Sequence, residues 1–86
     1  MLGLATSPSE KFAKLLLQWS VKTTQENGSS EIKLTLTQEE IAEVIGTTRE
    51  TVTRLFANFR KKQLLRIQGT TLVIHSRFAL ERMVQS

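Results

Sequence analysis

The 86-residue chain contains no cysteine. That excludes disulfide staples, thiolate zinc sites, cysteine-ligated iron–sulfur clusters and cysteine nucleophiles, and it leaves compaction to the hydrophobic core. No apolar run is long enough to span a membrane, because charge breaks every hydrophobic stretch. The N-terminal Met-Leu-Gly-Leu-Ala-Thr-Ser-Pro lacks the basic start and the roughly 7 to 15 residue apolar run of a secretory signal. No export tag is legible, and a cytoplasmic location fits. Internal repeats and low-complexity segments are also missing. What remains is 40% hydrophobic and 23% charged, the balance of a single small globular domain without room for a catalytic cleft between domains.

Acidic residues are scarce in one half. Residues 1–47 hold four Lys and six Glu, a net of −2. Residues 48–77 hold Arg49, Arg54, Arg60, Lys61, Lys62, Arg66 and Arg77 against Glu50 alone, a net of +6. Basic charge gathered on one stretch, with a pI near 10.0, is the footprint of a polyanion binder. Charge alone fits a solvated basic face equally well.

Local signals place the elements. Ser7, Pro8 and Glu10 make an N-cap serine, a proline at the first helical position and a glutamate three residues after the cap, which starts a helix. Phe12, Leu15, Leu16 and Trp19 follow at the spacing of one apolar helical stripe. Thr23 to Ser30 reads as a loop, and the alternation of Glu31 to Leu36 reads as a short half-buried strand. Thr37 and Glu40 repeat the capping pattern before Ile41, Ala42, Val44 and Ile45, and Gly46 ends that helix. Thr47 and Thr48 are candidate caps for a further helix with core face Val52, Leu55, Phe56 and Phe59. Two helices joined by a short Gly-containing turn are the helix-turn-helix pattern. Leu64 to Gln68 and Thr71 to His75 flank Gly69-Thr70 as a hairpin, or wing. Phe78, Ala79, Leu80, Met83 and Val84 predict a short terminal helix that packs back. The fold class expected is therefore mainly α with a small β-wing, a winged helix-turn-helix.

With Val52, Leu55, Phe56 and Phe59 inward, Arg49, Glu50, Thr53 and Arg54 face outward at the N-terminal end of their helix. Such an end touches base edges in a recognition helix. Arginine offers paired donors to guanine O6 and N7, and glutamate accepts from cytosine N4. The plainer reading is a solvent-exposed face with Glu50 and Arg54 paired at i, i+4.

Leu36 through Leu55, with its Thr-Gln-Glu-Glu cap, Gly46 turn and Thr-Arg-Glu-Thr-Val-Thr-Arg helix start, closely resembles the helix-turn-helix of the Crp/Fnr family of bacterial transcription regulators (cyclic-AMP receptor protein and fumarate–nitrate regulator). The likeness continues through Leu64 to Gly69 and Leu72 to Ile74, and more loosely back to Lys11–Trp19. It implies sequence-specific binding of double-stranded DNA, with helix 48–62 in the major groove. Arg49, Glu50 and Arg54 then fall on base-reading positions and favour TGTGA-like half-sites in an inverted repeat. Thr53 departs from the glycine of the best-known member and brings a thymine-methyl or phosphate contact. Thr37, Gln38, Thr48 and Thr51 match phosphate-touching positions, and Gln68 and Thr70 sit at the wing tip against the backbone. The family also implies a dimer formed through an N-terminal region, contact with RNA polymerase in the full-length protein, and an effector such as a cyclic nucleotide held by a sensor domain. No cofactor is expected in this chain. Residues 1–6 resemble the stub of a hinge, or an added start, ahead of a DNA-binding domain at 7–86. An excised domain is one expectation, mainly monomeric in isolation, and a natural stand-alone domain is the other.

Several residues invite larger roles. His75 has no nucleophile, base partner or metal-ligand cluster at useful spacing, so neither catalysis nor a metal site is expected. Trp19 carries helical companions that favour core packing over base stacking. Lys61 and Lys62 fit a phosphate clamp and a solvated helix C-terminus equally. A winged-helix protein-interaction module meeting an acidic partner is the competing function, and an enzyme is not expected.

Overall fold

A computed structural model of the chain describes residues 7–20 and 29–84. The readings of residues 1–6 as a hinge stub and of 23–28 as loop lie outside the described residues. In chain order the elements are α1 (Pro8–Ser20), β1 (Ser30–Lys33), α2 (Gln38–Ile45), α3 (Arg49–Lys61), β2 (Leu65–Gln68), β3 (Thr71–Ile74) and α4 (Arg77–Val84).

The first helix starts where its cap demands. The Glu10 amide donates to Ser7 Oγ at 3.2 Å, and Pro8 occupies the first turn, where no intrahelical partner for its nitrogen is needed. Its stripe buries Phe12, Ala13, Leu15 and Leu16. Phe12 is the pivot of the core: its ring meets Phe56 edge-on at 5.0 Å and 70°, and Phe59 at 4.9 Å and 63°. Edge-to-face contacts suit the ring quadrupoles, and each fully buried ring adds roughly 1.5–3 kcal/mol from burial. Thus the inward stripe of α3 is anchored to α1, and its other side is left outside. Trp19 lies half-buried against the same core.

The far end of α1 is tied down by a polar link. Ser20, fully buried, donates from Oγ to the Leu17 carbonyl at 2.8 Å and accepts from Arg77 Nε at 2.8 Å. Arg77 also meets Glu81 at 3.7 Å, so the start of α4 is joined to the end of α1.

The wing is a three-stranded antiparallel sheet of order β1-β3-β2. Gln68 pairs with Thr71, leaving Gly69-Thr70 as a two-residue turn in which Gly69 takes φ 62°. A positive φ at the first turn position is what a tight hairpin asks of glycine. The strand expected at Glu31 to Leu36 is shifted: Ser30, assigned to the loop, pairs with Ile74, and the ladder stops at Lys33 opposite Thr71. The partner is the reason, because β3 has only four residues and turns at Thr70, whose carbonyl takes the Leu34 amide at 2.7 Å. The hairpin arms are shorter by one residue each than Leu64–Gln68 and Thr71–His75. Leu64 is held instead by the end of α3, and His75 lies exposed past β3 with its amide on the Leu64 carbonyl at 3.1 Å.

Two apolar residues expected inside are outside. Val44 is 59% exposed and Phe78 66% exposed. In α2 the burial falls on Ile41, Ala42 and Ile45, and at 3.6 residues per turn Val44 sits roughly 60° beyond that arc. In α4 Leu80 is the buried residue, and Phe78 instead lies under the Arg82 guanidinium, 5.9 Å from its ring centre.

Candidate nucleic-acid interface

The helix pair α2–α3 is capped at all four of its ends. The Thr37 hydroxyl accepts from the Glu40 amide at 3.1 Å while the Glu40 carboxylate accepts from the Thr37 amide at 2.8 Å, a complete reciprocal box. Gly46 closes α2 at φ 75°, ψ 43°, a left-handed conformation that a side chain would strain, and the Thr47 amide also reaches the Ala42 carbonyl at 2.8 Å. Thr48, not Thr47, caps α3: its Oγ1 accepts from the Thr51 amide at 3.2 Å and donates to Thr51 Oγ1 at 3.0 Å. At the far end α3 stops in a Schellman turn, with Gln63 at φ 61°, its amide on Arg60 O at 3.0 Å and the Leu64 amide on Phe59 O at 2.9 Å. The direction of α3 and the angle at which it leaves the turn follow from these bonds and from its buried stripe.

The outward face of α3 carries the base-reading candidates together. Arg49, Glu50, Thr53 and Arg54 are all exposed within its first two turns. Among the described residues, no ion pair joins Glu50 to Arg49 or Arg54. The i, i+4 pairing that would have explained this face as self-satisfied is therefore not formed, and both arginines keep their full donor sets.

Thr53 differs from its neighbours. Its hydroxyl donates to Gln38 Oε1 across the turn, a link between α3 and the first turn of α2. The family resemblance gives the two residues separate contacts, and the bond between them is not legible in the sequence. Thr37 stands at the start of α2 and Thr48 and Thr51 share the start of α3, with the Thr37 and Thr48 hydroxyls serving the caps. Lys61 closes α3 and Lys62 caps it, both exposed, while Gln68 and Thr70 stand exposed at the wing tip. Arg60 and Arg66, counted in the basic half but given no separate role, are exposed too; total charge was their only signal. An open groove of about 580 Å³ runs between the start of α1, at Pro8 and Ser9, and the α3 residues Thr51, Arg54, Asn58 and Lys61. Among the described residues, no group of three His, Cys, Asp or Glu could hold a metal ion, and no helix is long and apolar enough to cross a membrane.

A short helix pair across a glycine turn, a buried stripe holding the second helix by one side, and a β-hairpin beside it define a winged helix-turn-helix domain. The model of the Crp-like helix-turn-helix domain matches residues 10–83, and the chain belongs to that family. It is 38% identical over 73 residues to a CRP-like cAMP-activated global transcriptional regulator of Mycobacterium tuberculosis, an alignment covering 84% of this chain and 33% of the relative. It is 41% identical over 51 residues to a global nitrogen regulator of Nostoc, covering 59% and 23%. The fold superposes on a CooA mutant from Carboxydothermus hydrogenoformans with TM-score 0.82 at 30% identity, over 96% of this chain and 39% of that one. FixK2 from Bradyrhizobium japonicum, at 20% identity, shares the fold with TM-score 0.81 over 95% and 40%. The chain thus spans about a third of the length of the curated regulator from Mycobacterium.

Proposed function

We propose that the domain binds double-stranded DNA sequence-specifically as the DNA-reading part of a bacterial transcription regulator. Arg49, Glu50 and Arg54 enter the major groove and read base edges, with the arginines toward guanine and Glu50 toward a cytosine amine. The observation that carries this reading is their shared exposure at the start of α3 without an ion pair among them. A glutamate among arginines would be repelled by phosphate, and a cytosine donor gives it a partner. Thr37, Gln38, Thr48 and Thr51 meet phosphates around the helix starts, Lys61 and Lys62 extend that contact along α3, and Gln68 and Thr70 bring the wing tip to the backbone. Family membership favours TGTGA-like half-sites arranged as an inverted repeat.

The role is binding without catalysis, in the cytoplasm, with no cofactor held by these residues. The alignment covers only 33% of the Mycobacterium regulator. We assign effector binding, dimerisation and contact with RNA polymerase to the full-length regulator, and expect the isolated domain to be monomeric. A fluorescence-anisotropy titration tests the reading, with a duplex carrying inverted TGTGA half-sites against a scrambled duplex of equal composition, at two salt concentrations. Preference for the TGTGA duplex that survives higher salt supports base reading. Equal, steeply salt-sensitive binding to both refutes the half-site assignment. Binding to neither refutes DNA recognition and favours an acidic protein partner for the same basic face.

A further inference from the structure

We propose that Thr53 is a positioning residue, acting on DNA through Gln38 rather than by touching a base. This inference rests on the DNA-binding reading above. Gln38 stands half-buried in the first turn of α2, and Thr53 is exposed on the second turn of α3, fifteen residues later. The hydroxyl of Thr53 donates to Oε1 of Gln38.

A carboxamide has one oxygen that accepts and one nitrogen with two donors. Left free, it rotates, and half of its orientations aim the oxygen at a phosphate, where it is repelled. Holding Oε1 on the Thr53 hydroxyl turns both N–H donors of Gln38 away from that bond. The presented group is then a pure donor, which is what an anionic phosphate oxygen accepts. Threonine suits the task because its β-branch limits χ1 and keeps the hydroxyl aimed. The ordering is done before DNA arrives, so less rotamer freedom is lost on binding. Since its one proton is committed, Thr53 cannot donate to a base, and discrimination rests on Arg49, Glu50 and Arg54. The same bond spans the turn, so the phosphate contact from α2 keeps register with the base-reading face of α3.

The test is a double-variant cycle by anisotropy, with the inverted-TGTGA and scrambled duplexes and with thermal melts as a folding check. Gln38→Ala weakens both duplexes alike by about tenfold, the scale of one hydrogen bond to a charged group. Thr53→Val keeps the shape but removes the hydroxyl, weakening both duplexes by a smaller common factor. The double variant binds as Gln38→Ala does, Thr53→Ser binds more tightly than Thr53→Val because it keeps the hydroxyl, and salt slopes are unchanged because neither residue carries charge. In the free domain, the Gln38 side-chain amide resonances shift on Thr53→Val and return with Thr53→Ser. Additive losses, a Thr53→Val effect confined to one base pair, or unmoved Gln38 amide resonances would overturn the proposal while leaving DNA binding intact. Wild-type binding to neither duplex would overturn the DNA reading itself, and the role of Thr53 with it.

Discussion

Replacing Arg54 by alanine separates base reading from simple attraction to a polyanion. Arg54 is exposed on the outer face of α3 and, among the described residues, has no carboxylate partner. Truncation there leaves no buried charge behind and touches no core contact, so the folding cost stays within about 0.5 kcal/mol. A bidentate arginine–guanine pair contributes about 1–3 kcal/mol of discrimination, which is roughly 5- to 160-fold in Kd. The expected outcome is a loss of that size on the cognate duplex, a small loss on scrambled DNA, and flattened preference at one base position. Lys62→Ala is the matched control, exposed at the end of α3 and without a base-reading geometry. It weakens every duplex similarly and lowers the salt slope by about 0.9, one phosphate contact's worth of released counterions. Anisotropy at three or more salt concentrations reads both quantities. If Arg54→Ala weakened cognate and scrambled duplexes equally, Arg54 would be a phosphate contact and the assignment of the base-reading face would be wrong.

Three further outcomes test the framework that holds that face. Thr48→Ala removes the acceptor of the Thr51 amide and costs about 1 kcal/mol, read as a melting temperature lower by roughly 4–8 °C, and a melt unchanged from wild type would show the cap to be idle. Phe59→Ala empties the centre of the core, where Phe59 is 0% exposed and packed on Phe12, and costs about 3–5 kcal/mol, enough to lose cooperative melting in a domain this small. Gln63→Gly relieves a side chain held at φ 61° and raises stability by about 0.5–1 kcal/mol in chemical denaturation; a lower midpoint would contradict the strain assigned to that turn.

The helix pair was legible because its determinants are local. Thr37 with Glu40, Gly46, and Thr48 with Thr51 each act within about one turn and set three of the four ends, while the turn at Gln63 that closes α3 has no such signal in the sequence. The wing was half legible. Its turn is written in Gly69-Thr70, but the third strand pairs Glu31 with Val73, more than forty residues away, and nothing local announces that partner. The same non-local pairing trims β1 and takes Ser30 from the loop. Val44 and Phe78 were misplaced because a helix of eight residues gives too few turns for its apolar arc to be centred from the pattern alone. At the candidate site, periodicity identified the outward face of α3, since the inward face is fixed by four large apolar residues. Periodicity does not carry rotamers, so neither the Gln38–Thr53 bond nor the unpaired state of Glu50 and Arg54 is written in the sequence.

The claim at the centre is that the start of α3 enters the groove of DNA. An amide-resonance titration of the ¹⁵N-labelled domain with a short duplex containing one TGTGA half-site tests it residue by residue. The largest shifts are expected at 48–54, smaller ones at 37–38, 61–62 and 68–70, and none across the Phe78–Arg82 face of α4. Shifts concentrated on α4 or on the exposed Val44 side of α2, with 48–54 unmoved, would contradict it.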